Sequence, residues 1–228
     1  MKSRPFIALA VIGLLVASGP GKALAHEAHK ESPAPTLTGA SLFEPPPPGT
    51  YELPPICQVK EHWLLGPDGK RAPLLGLGKE EAAIVSFVYR TCVDATGCPL
   101  ALATLQRLDA ELASRPGLAK RVRLVTVSFD PKRDTPERMK ELRGHLAPQA
   151  QWRFLTAANS QQLVPVLSDF NQNAVPLVTE EGEETGLIRH VLKVYLVDGR
   201  GDVRNIYSTG FLDQRILLND LQTVLAEE

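Results

Sequence analysis

The order of apolar and polar positions along the chain predicts alternating strands and helices. A continuous apolar, β-branched run occurs at residues 82–89, and a second run rich in valine and leucine occurs at 122–129. Such runs are typical of central strands that are covered on both faces. Leucines recur on one helical face between Pro99 and Leu112, which indicates an amphipathic helix between the two runs. Together these segments are typical of a β-α-β unit.

The rest of the chain continues this alternation. The pattern predicts a hairpin turning at 67–69, a helix opening at Thr135 and Pro136, and a short strand at 152–156. The next predicted helix has Pro165 in its first turn or at a kink and holds Leu163, Val166, Leu167 and Phe170. An acidic loop over 173–189, a hairpin turning at 198–201 and a last helix capped by Asp213 are predicted to follow. This order favours an α/β fold, in which a central sheet carries helices on both faces.

The first 25 residues are predicted to be a cleaved export signal. Lys2 and Arg4 precede an apolar run at 6–17, and Ala23-Leu24-Ala25 is a small-residue cleavage site. The alternative is a retained membrane anchor. The length of the run disfavours an anchor, because a membrane span needs about 20 apolar residues.

Residues 26–50 are predicted to form a tail outside the folded domain, which is expected over 51–228. Pro, Ser, Thr and Gly dominate the tail, and the tetraproline Pro45–Pro48 is stiff and extended. Removal of the signal would leave His26 at the N-terminus with His29 close by. A terminal amine with imidazole nitrogens can bind Cu(II), although a polar tail without metal is the favoured interpretation.

Composition narrows the classes of function. The length of 228 residues suffices for one medium domain with a core, and the hydrophobic fraction of 43% is ordinary for a globular protein. The formal net charge is -1 and no basic stripe stands out, so a nucleic-acid partner is not expected. Outside the cytoplasm thiols tend to become disulfides, but three cysteines leave at least one thiol without an internal partner.

Two cysteines lie close together in the segment FVYRTCVDATGCPLA, residues 87–101. Cys92 and Cys98 follow the first predicted central strand, where sites in open α/β sheets cluster. A disulfide across so short a loop stabilises little, so reversible chemistry or metal binding is favoured over a structural disulfide or two buried thiols. Because Cys98 precedes Pro99 at a predicted helix N-terminus, its thiol pKa is expected to be lowered.

His190 is the candidate third ligand. It is predicted to open a strand over 190–197 that would bring it beside the cysteine loop. Two thiolates and one imidazole form a soft set of three ligands, which suits Cu(I) and, less specifically, Zn(II). A surface histidine, or one that only supports the ligands, is the alternative.

Other reactive residues receive structural interpretations. Cys57 is expected to be a small buried apolar residue, with a ligand or resolving thiol as the alternative. Asp130 and Arg133 are expected to shape the loop facing the site rather than to catalyse a reaction. The stretch 134–136 is expected to cap the next helix.

Three segments resemble the Sco/SenC family of thioredoxin-fold copper chaperones, which help to assemble cytochrome c oxidase. FVYRTCVDATGCP is similar to the family's aromatic-tyrosine strand that runs into C-x3-C-P. The most specific segment is VTVSFDPKRDTPERMKEL, residues 125–142, and the third is RHVLKVYLVDGRGDV, residues 189–203. Together they anchor a resemblance from about Pro54 to the C-terminus.

The resemblance implies a thioredoxin-like α/β fold, with a central mixed sheet flanked by helices and an N-terminal β-hairpin. It implies copper as the bound metal, with Cys92, Cys98 and His190 as ligands. The chain departs from the family pattern, because five residues rather than three separate the cysteines, Val93 replaces a proline and Arg189 replaces an acid. A longer loop is more adaptable and a positive Arg189 disfavours a nearby cation, so these departures favour a thiol redox function over copper delivery.

The leading functional prediction is a periplasmic copper-binding chaperone for a copper centre of a respiratory oxidase. The alternative is a thiol–disulfide oxidoreductase that uses Cys92 and Cys98 to keep a partner's cysteines reduced, without metal. A redox sensor without turnover is a further class. A thiol peroxidase is disfavoured, because no P-x-x-x-T-x-x-C loop is present. The expected partner is a copper-accepting oxidase subunit or another periplasmic protein with a cysteine pair. The protein is expected to be soluble, and docking to a membrane complex is left open.

Overall fold

The structure is a computed structural model that describes residues 44–227. The predicted signal at 1–25 and the candidate tail ligands His26 and His29 lie outside the described residues. Within residues 44–227, no helix is both long enough and apolar enough to cross a membrane.

The described residues form short and long strands that alternate with helices. In chain order these are β1 (Cys57–Gln58), β2 (Trp63–Leu65), β3 (Arg71–Pro73), β4 (Ala82–Val88), α1 (Cys98–Ala113), α2 (Pro116–Ala119), β5 (Val122–Ser128), α3 (Pro136–Leu146), β6 (Trp152–Leu155), α4 (Ser160–Asp169), β7 (Ala174–Val178), β8 (Glu184–His190), β9 (Val194–Val197), β10 (Asp202–Tyr207) and α5 (Gln214–Ala226).

The main sheet has six strands in the order β1-β10-β9-β4-β5-β6. Strands β4, β5 and β6 run parallel, whereas β9 is antiparallel to β4 and β10 is antiparallel to β9. Every residue of β4 and β5 is buried, which is why apolar residues predominate in both segments of the sequence. The predicted central mixed sheet is confirmed.

Helices cover both faces of this sheet. On one face, α1 and α5 contribute Leu105, Leu108 and Leu217 to a core with Ile84 of β4. On the other face, α4 and the β2–β3 hairpin form a second core that includes Phe170 and residues of β4 and β5. The predicted N-terminal hairpin is therefore present, and Pro165 lies inside α4 rather than in its first turn.

The prediction of a loop over 173–189 was wrong, because β7 and β8 pair there as an antiparallel hairpin. No strand opens at His190 as predicted. Strand β8 ends at His190, which pairs with Ala174, and β9 begins at Val194. Most side chains of β7 and β8 are exposed, so they lack the buried apolar pattern that identified the other strands. This hairpin carries His190 to the site.

Candidate functional site

The site forms where the chain leaves β4 and β5. Parallel strands end at the same edge of a sheet, so the residues that follow β4 and β5 lie side by side. The loop after β4 carries Cys92 and leads into α1, which begins at Cys98. The end of β8 brings His190 to the same edge, where its ring meets Tyr89 and Phe129.

The imidazole of His190 is oriented by a hydrogen bond on the side away from the cysteine. Its Nδ1 lies 3.0 Å from the carbonyl oxygen of Ile188, and its Nε2 lies 3.8 Å from Sγ of Cys98. A proton on Nδ1 satisfies the carbonyl and leaves the Nε2 lone pair facing the sulfur. This arrangement, in which one ring nitrogen donates to the protein, is the usual one for a histidine that binds a metal.

Aromatic rings fix the plane of the imidazole. The ring centroids of His190 and Phe129 are 4.9 Å apart, and those of His190 and Tyr89 are 5.5 Å apart with nearly perpendicular planes. Sequence reasoning did not single out either aromatic residue. The available signal was their position, since each directly follows a central strand that ends at the site.

The pKa of the Cys98 thiol is raised, and the expectation of a lowered pKa was wrong. Cys98 is only 2% exposed, and burial raises its pKa to about 12, with the neighbouring Cys92 adding to the rise. A helix N-terminus favours the thiolate by about 0.3–1 kcal/mol, whereas full burial can shift a pKa by up to about 3–5 units. Burial therefore outweighs the helix dipole.

Cys92 is more accessible than Cys98. It is partly exposed, it sits on a loop whose next four residues are exposed, and both cysteines are free thiols. The two thiols line a cleft of about 160 Å³ together with Leu102 of α1 and His145 of α3. No sequence signal pointed to His145, because only the packing of α3 brings it beside the cysteine loop.

The donor atoms suit a soft metal but are not yet gathered around one position. Among residues 44–227, no group of three or more His, Cys, Asp or Glu is arranged to hold a metal ion. Metal bonds of about 2.3 Å to sulfur and about 2.0 Å to nitrogen can span the 3.8 Å between Cys98 and His190. Cys92 would complete the set by a movement of its exposed loop.

The model of the SCO1/SenC family matches residues 79–226, which include Cys92, Cys98 and His190. The chain belongs to the SCO1/SenC family. No curated protein sequence matches this chain.

Solved structures of SCO1/SenC proteins share the thioredoxin-like fold. Arabidopsis thaliana ScoI with copper bound is 21% identical, with a TM-score of 0.61 over 74% of this chain and 98% of that one. Apo Sco1 from Thermus thermophilus is 25% identical, with a TM-score of 0.60 over 76% and 94%. BsSco, described as having a disulfide switch, is 22% identical, with a TM-score of 0.59 over 78% and 100%.

The segment most typical of the SCO1/SenC family forms a network beside the site. Asp134 accepts hydrogen bonds from Ser128 Oγ at 2.6 Å and from the Arg90 backbone N–H at 3.2 Å. Arg133 pairs with the buried Asp130 at 2.9 Å. Asp134 thus joins the ends of β4 and β5. Thr135 is the N-cap residue of α3 and Pro136 opens the helix, as predicted, but the Thr135 side chain makes no capping hydrogen bond.

The third cysteine lies away from this site. Cys57 is exposed in β1, so the prediction of a buried residue was wrong. The reason is that β1 is a two-residue strand at the edge of the sheet. The pKa of its thiol is raised, first by partial burial and then by the carboxylates of Asp169 and Asp202.

Proposed function

We propose that this protein is a periplasmic chaperone that carries copper on Cys92, Cys98 and His190 to a copper centre of a respiratory cytochrome c oxidase. The observation that supports it most directly is the 3.8 Å approach of His190 Nε2 to Cys98 Sγ, with Nδ1 engaged by a carbonyl. Membership of the SCO1/SenC family adds support. Relatives from Arabidopsis thaliana, Bradyrhizobium japonicum and yeast have copper bound.

The ligand chemistry suits a cargo that is held and then released. Cu(I) prefers soft thiolates, and each thiol loses its proton when its sulfur binds the metal. Transfer to a partner's cysteine pair exchanges one copper–sulfur bond for another and moves no electron. The partly exposed Cys92 is the ligand that an incoming thiolate can replace first, while Cys98 and His190 stay inside.

The proposed partner is an oxidase subunit or another periplasmic protein that presents a cysteine pair. BsSco belongs to a family described as cytochrome c oxidase assembly proteins, which supports this choice. Export is supported by the signal pattern at 1–25. Intact mass of the protein from its host tests export, and the expected chain starts at His26. A full-length chain in the membrane fraction would contradict cleavage.

Replacing His190 by alanine tests the function, because only copper delivery needs this nitrogen. His190→Ala leaves a dithiolate that still binds some Cu(I), whereas Cu(II), which prefers nitrogen and oxygen ligands, is held less well. We expect lower oxidase copper content in the variant strain and little change in the rate of dithiol exchange with a model disulfide. Normal oxidase copper content, at wild-type expression of the variant, would contradict the proposal.

A second candidate function is thiol–disulfide exchange, which the unequal accessibility of the two free thiols favours. The Cys92 thiolate would attack a partner's disulfide, break its S–S bond and release one partner sulfur as a thiolate. Cys98 would then give its proton to the partner thiolate already released, attack the mixed disulfide as a thiolate, release the second partner thiolate and close an internal disulfide. The partner gains two electrons and this pair loses them, so a dithiol reductant must restore it.

A further inference from the structure

Strand β8 contacts the domain with every second residue. Side chains alternate along a regular strand, so Ile188 and His190 share one face, whereas a register shift in the pairing with β7 separates Ile188 from Glu184. Ile188 is buried, and its backbone N–H lies 3.5 Å from the hydroxyl oxygen of Tyr89. The face that ends at His190 is therefore the face that the domain holds.

Glu184, the first residue of β8, is tied by charge. The Glu184 carboxylate accepts hydrogen bonds from Lys132 Nζ at 2.9 Å and from Arg133 Nη2 at 3.3 Å. Arg133 in turn donates to the buried carboxylate of Asp130 at 2.9 Å. Glu184 is thus linked through Arg133 to a fixed point at the end of β5.

The backbone of Gly186 is tied to the cysteine loop. The Thr91 hydroxyl donates to the carbonyl oxygen of Gly186 at 3.1 Å, and Thr91 directly precedes Cys92. Gly186 adopts a φ of +79°, and a Cβ placed there would lie 3.7 Å from the Arg133 guanidinium. The arginine therefore lies against the strand backbone, and the loop that bears Cys92 is joined to the hairpin that bears His190.

These contacts matter because the hairpin lacks backbone pairing with the main sheet. Among the described strands, β7 and β8 pair only with each other. Few of their side chains are buried, so the other attachments are also local: the packing of Ile188, the rings of Tyr89 and Phe129 against His190, and a hydrogen bond from Gln172 to the Val191 carbonyl oxygen. The separation between His190 and Cys98 therefore depends on a few side-chain contacts.

We propose that Glu184, Arg133 and Thr91 are positioning residues that hold the β7–β8 hairpin so that His190 faces the cysteines. They act through His190 and do not touch the metal. The proposal rests on the proposed function only in treating His190 as the nitrogen ligand of copper. Release of these ties would withdraw the nitrogen and leave the two thiols for a partner to reach.

Glu184→Gln tests the charged tie, with Glu183→Gln as the matched control. Both variants remove one negative charge from adjacent positions at the start of β8, but no hydrogen bond or ion pair is made by the Glu183 side chain within residues 44–227. In the metal-free protein, hydrogen exchange of residues 184–190 is measured by mass spectrometry. We expect exchange about twofold to fivefold faster in Glu184→Gln and near wild type in Glu183→Gln, since exposed ion pairs contribute modestly.

Salt and copper give two further readouts for Glu184→Gln. About 1 M salt screens exposed charges, so it should speed exchange in the wild type and have little effect in the variant. Affinity for Cu(II), which needs the nitrogen, should fall by a similar factor, and Cu(I) affinity should fall less. Exchange at the wild-type rate in Glu184→Gln, or equal acceleration in both glutamine variants, would overturn the proposal.

Thr91 provides a second test with its own control. Thr91→Val removes the hydroxyl and keeps the shape, whereas Thr91→Ser keeps the donor. We expect faster exchange at residues 184–190 in Thr91→Val and restoration in Thr91→Ser. Equal exchange in all three proteins would overturn the role of Thr91. A wild type that binds no copper would refute the proposed function alone, because the exchange of the metal-free protein still decides whether the hairpin is held.

Discussion

Raising the pH is expected to strengthen Cu(I) binding steadily, because copper must displace the proton of Cys98. Burial raises the pKa of this thiol from 9.0 to about 12. The difference of about three units corresponds to about 4 kcal/mol that opposes ionisation in the metal-free protein. At neutral pH the Cys98 thiol is therefore protonated, and each copper bound releases its proton.

The size of the effect follows from proton competition. While a thiol remains protonated, each unit of pH raises the apparent affinity about tenfold for every proton released. A thiol with an ordinary pKa would stop contributing near pH 9.0, whereas Cys98 continues to contribute up to about pH 12. Copper affinity must rise, not fall, with pH, because the raised pKa disfavours the thiolate that copper needs and higher pH removes that cost.

Competition with a Cu(I) chelator under anaerobic conditions measures this dependence from about pH 7 to about pH 10, with the chelator's own titration subtracted. Calorimetry in buffers of different ionisation enthalpy counts the protons released, and we expect at least one per copper at neutral pH. Copper binding without proton release, or an affinity that levels off near pH 9, would refute the assignment of a buried, protonated Cys98 to the copper site.

Two further outcomes test the accessibility and the packing. Cys92 should be alkylated by iodoacetamide faster than Cys98, because Cys98 is buried and its pKa is raised. Peptide mass spectrometry measures both rates, and equal rates would argue against the burial of Cys98. Asp220→Ala should lower the free energy of unfolding in urea by about 1–3 kcal/mol, because the buried Tyr207 hydroxyl, now 2.7 Å from that carboxylate, loses its acceptor. Adding Tyr207→Phe to Asp220→Ala should restore part of the lost unfolding free energy, because the hydroxyl without an acceptor is removed. If the double variant instead loses as much stability again as Tyr207→Phe loses alone, this explanation is contradicted.

The central elements were predictable because burial leaves a pattern in the sequence. Strands β4 and β5 are covered on both faces, so most of their residues are apolar. The β7–β8 hairpin left no such pattern, since side chains such as Val175 and Leu187 are exposed although they are apolar. The segment from Val191 to Val197 is apolar except for Lys193, and it hid the break between β8 and β9.

The three metal-ligand candidates were identified from the sequence, but their environments were not. A helix that starts at Cys98 is visible in the sequence, whereas the side chains that line the cleft around its thiol come from separate segments such as β4 and α3. The direction of the pKa shift depends on that burial. The ties between Glu184, Arg133 and Thr91 likewise join separate segments, so they became visible only in the fold.

Anaerobic copper titration of the reduced and oxidised protein tests the central claim most directly. We expect the reduced protein to bind one Cu(I) per chain with high affinity, and Cys57→Ala to bind nearly as well, since Cys57 lies outside the site. A disulfide between Cys92 and Cys98 removes both thiolates, so the oxidised protein should lose this binding. Equal Cu(I) affinity in the two forms would place copper elsewhere and contradict a site built on Cys92, Cys98 and His190.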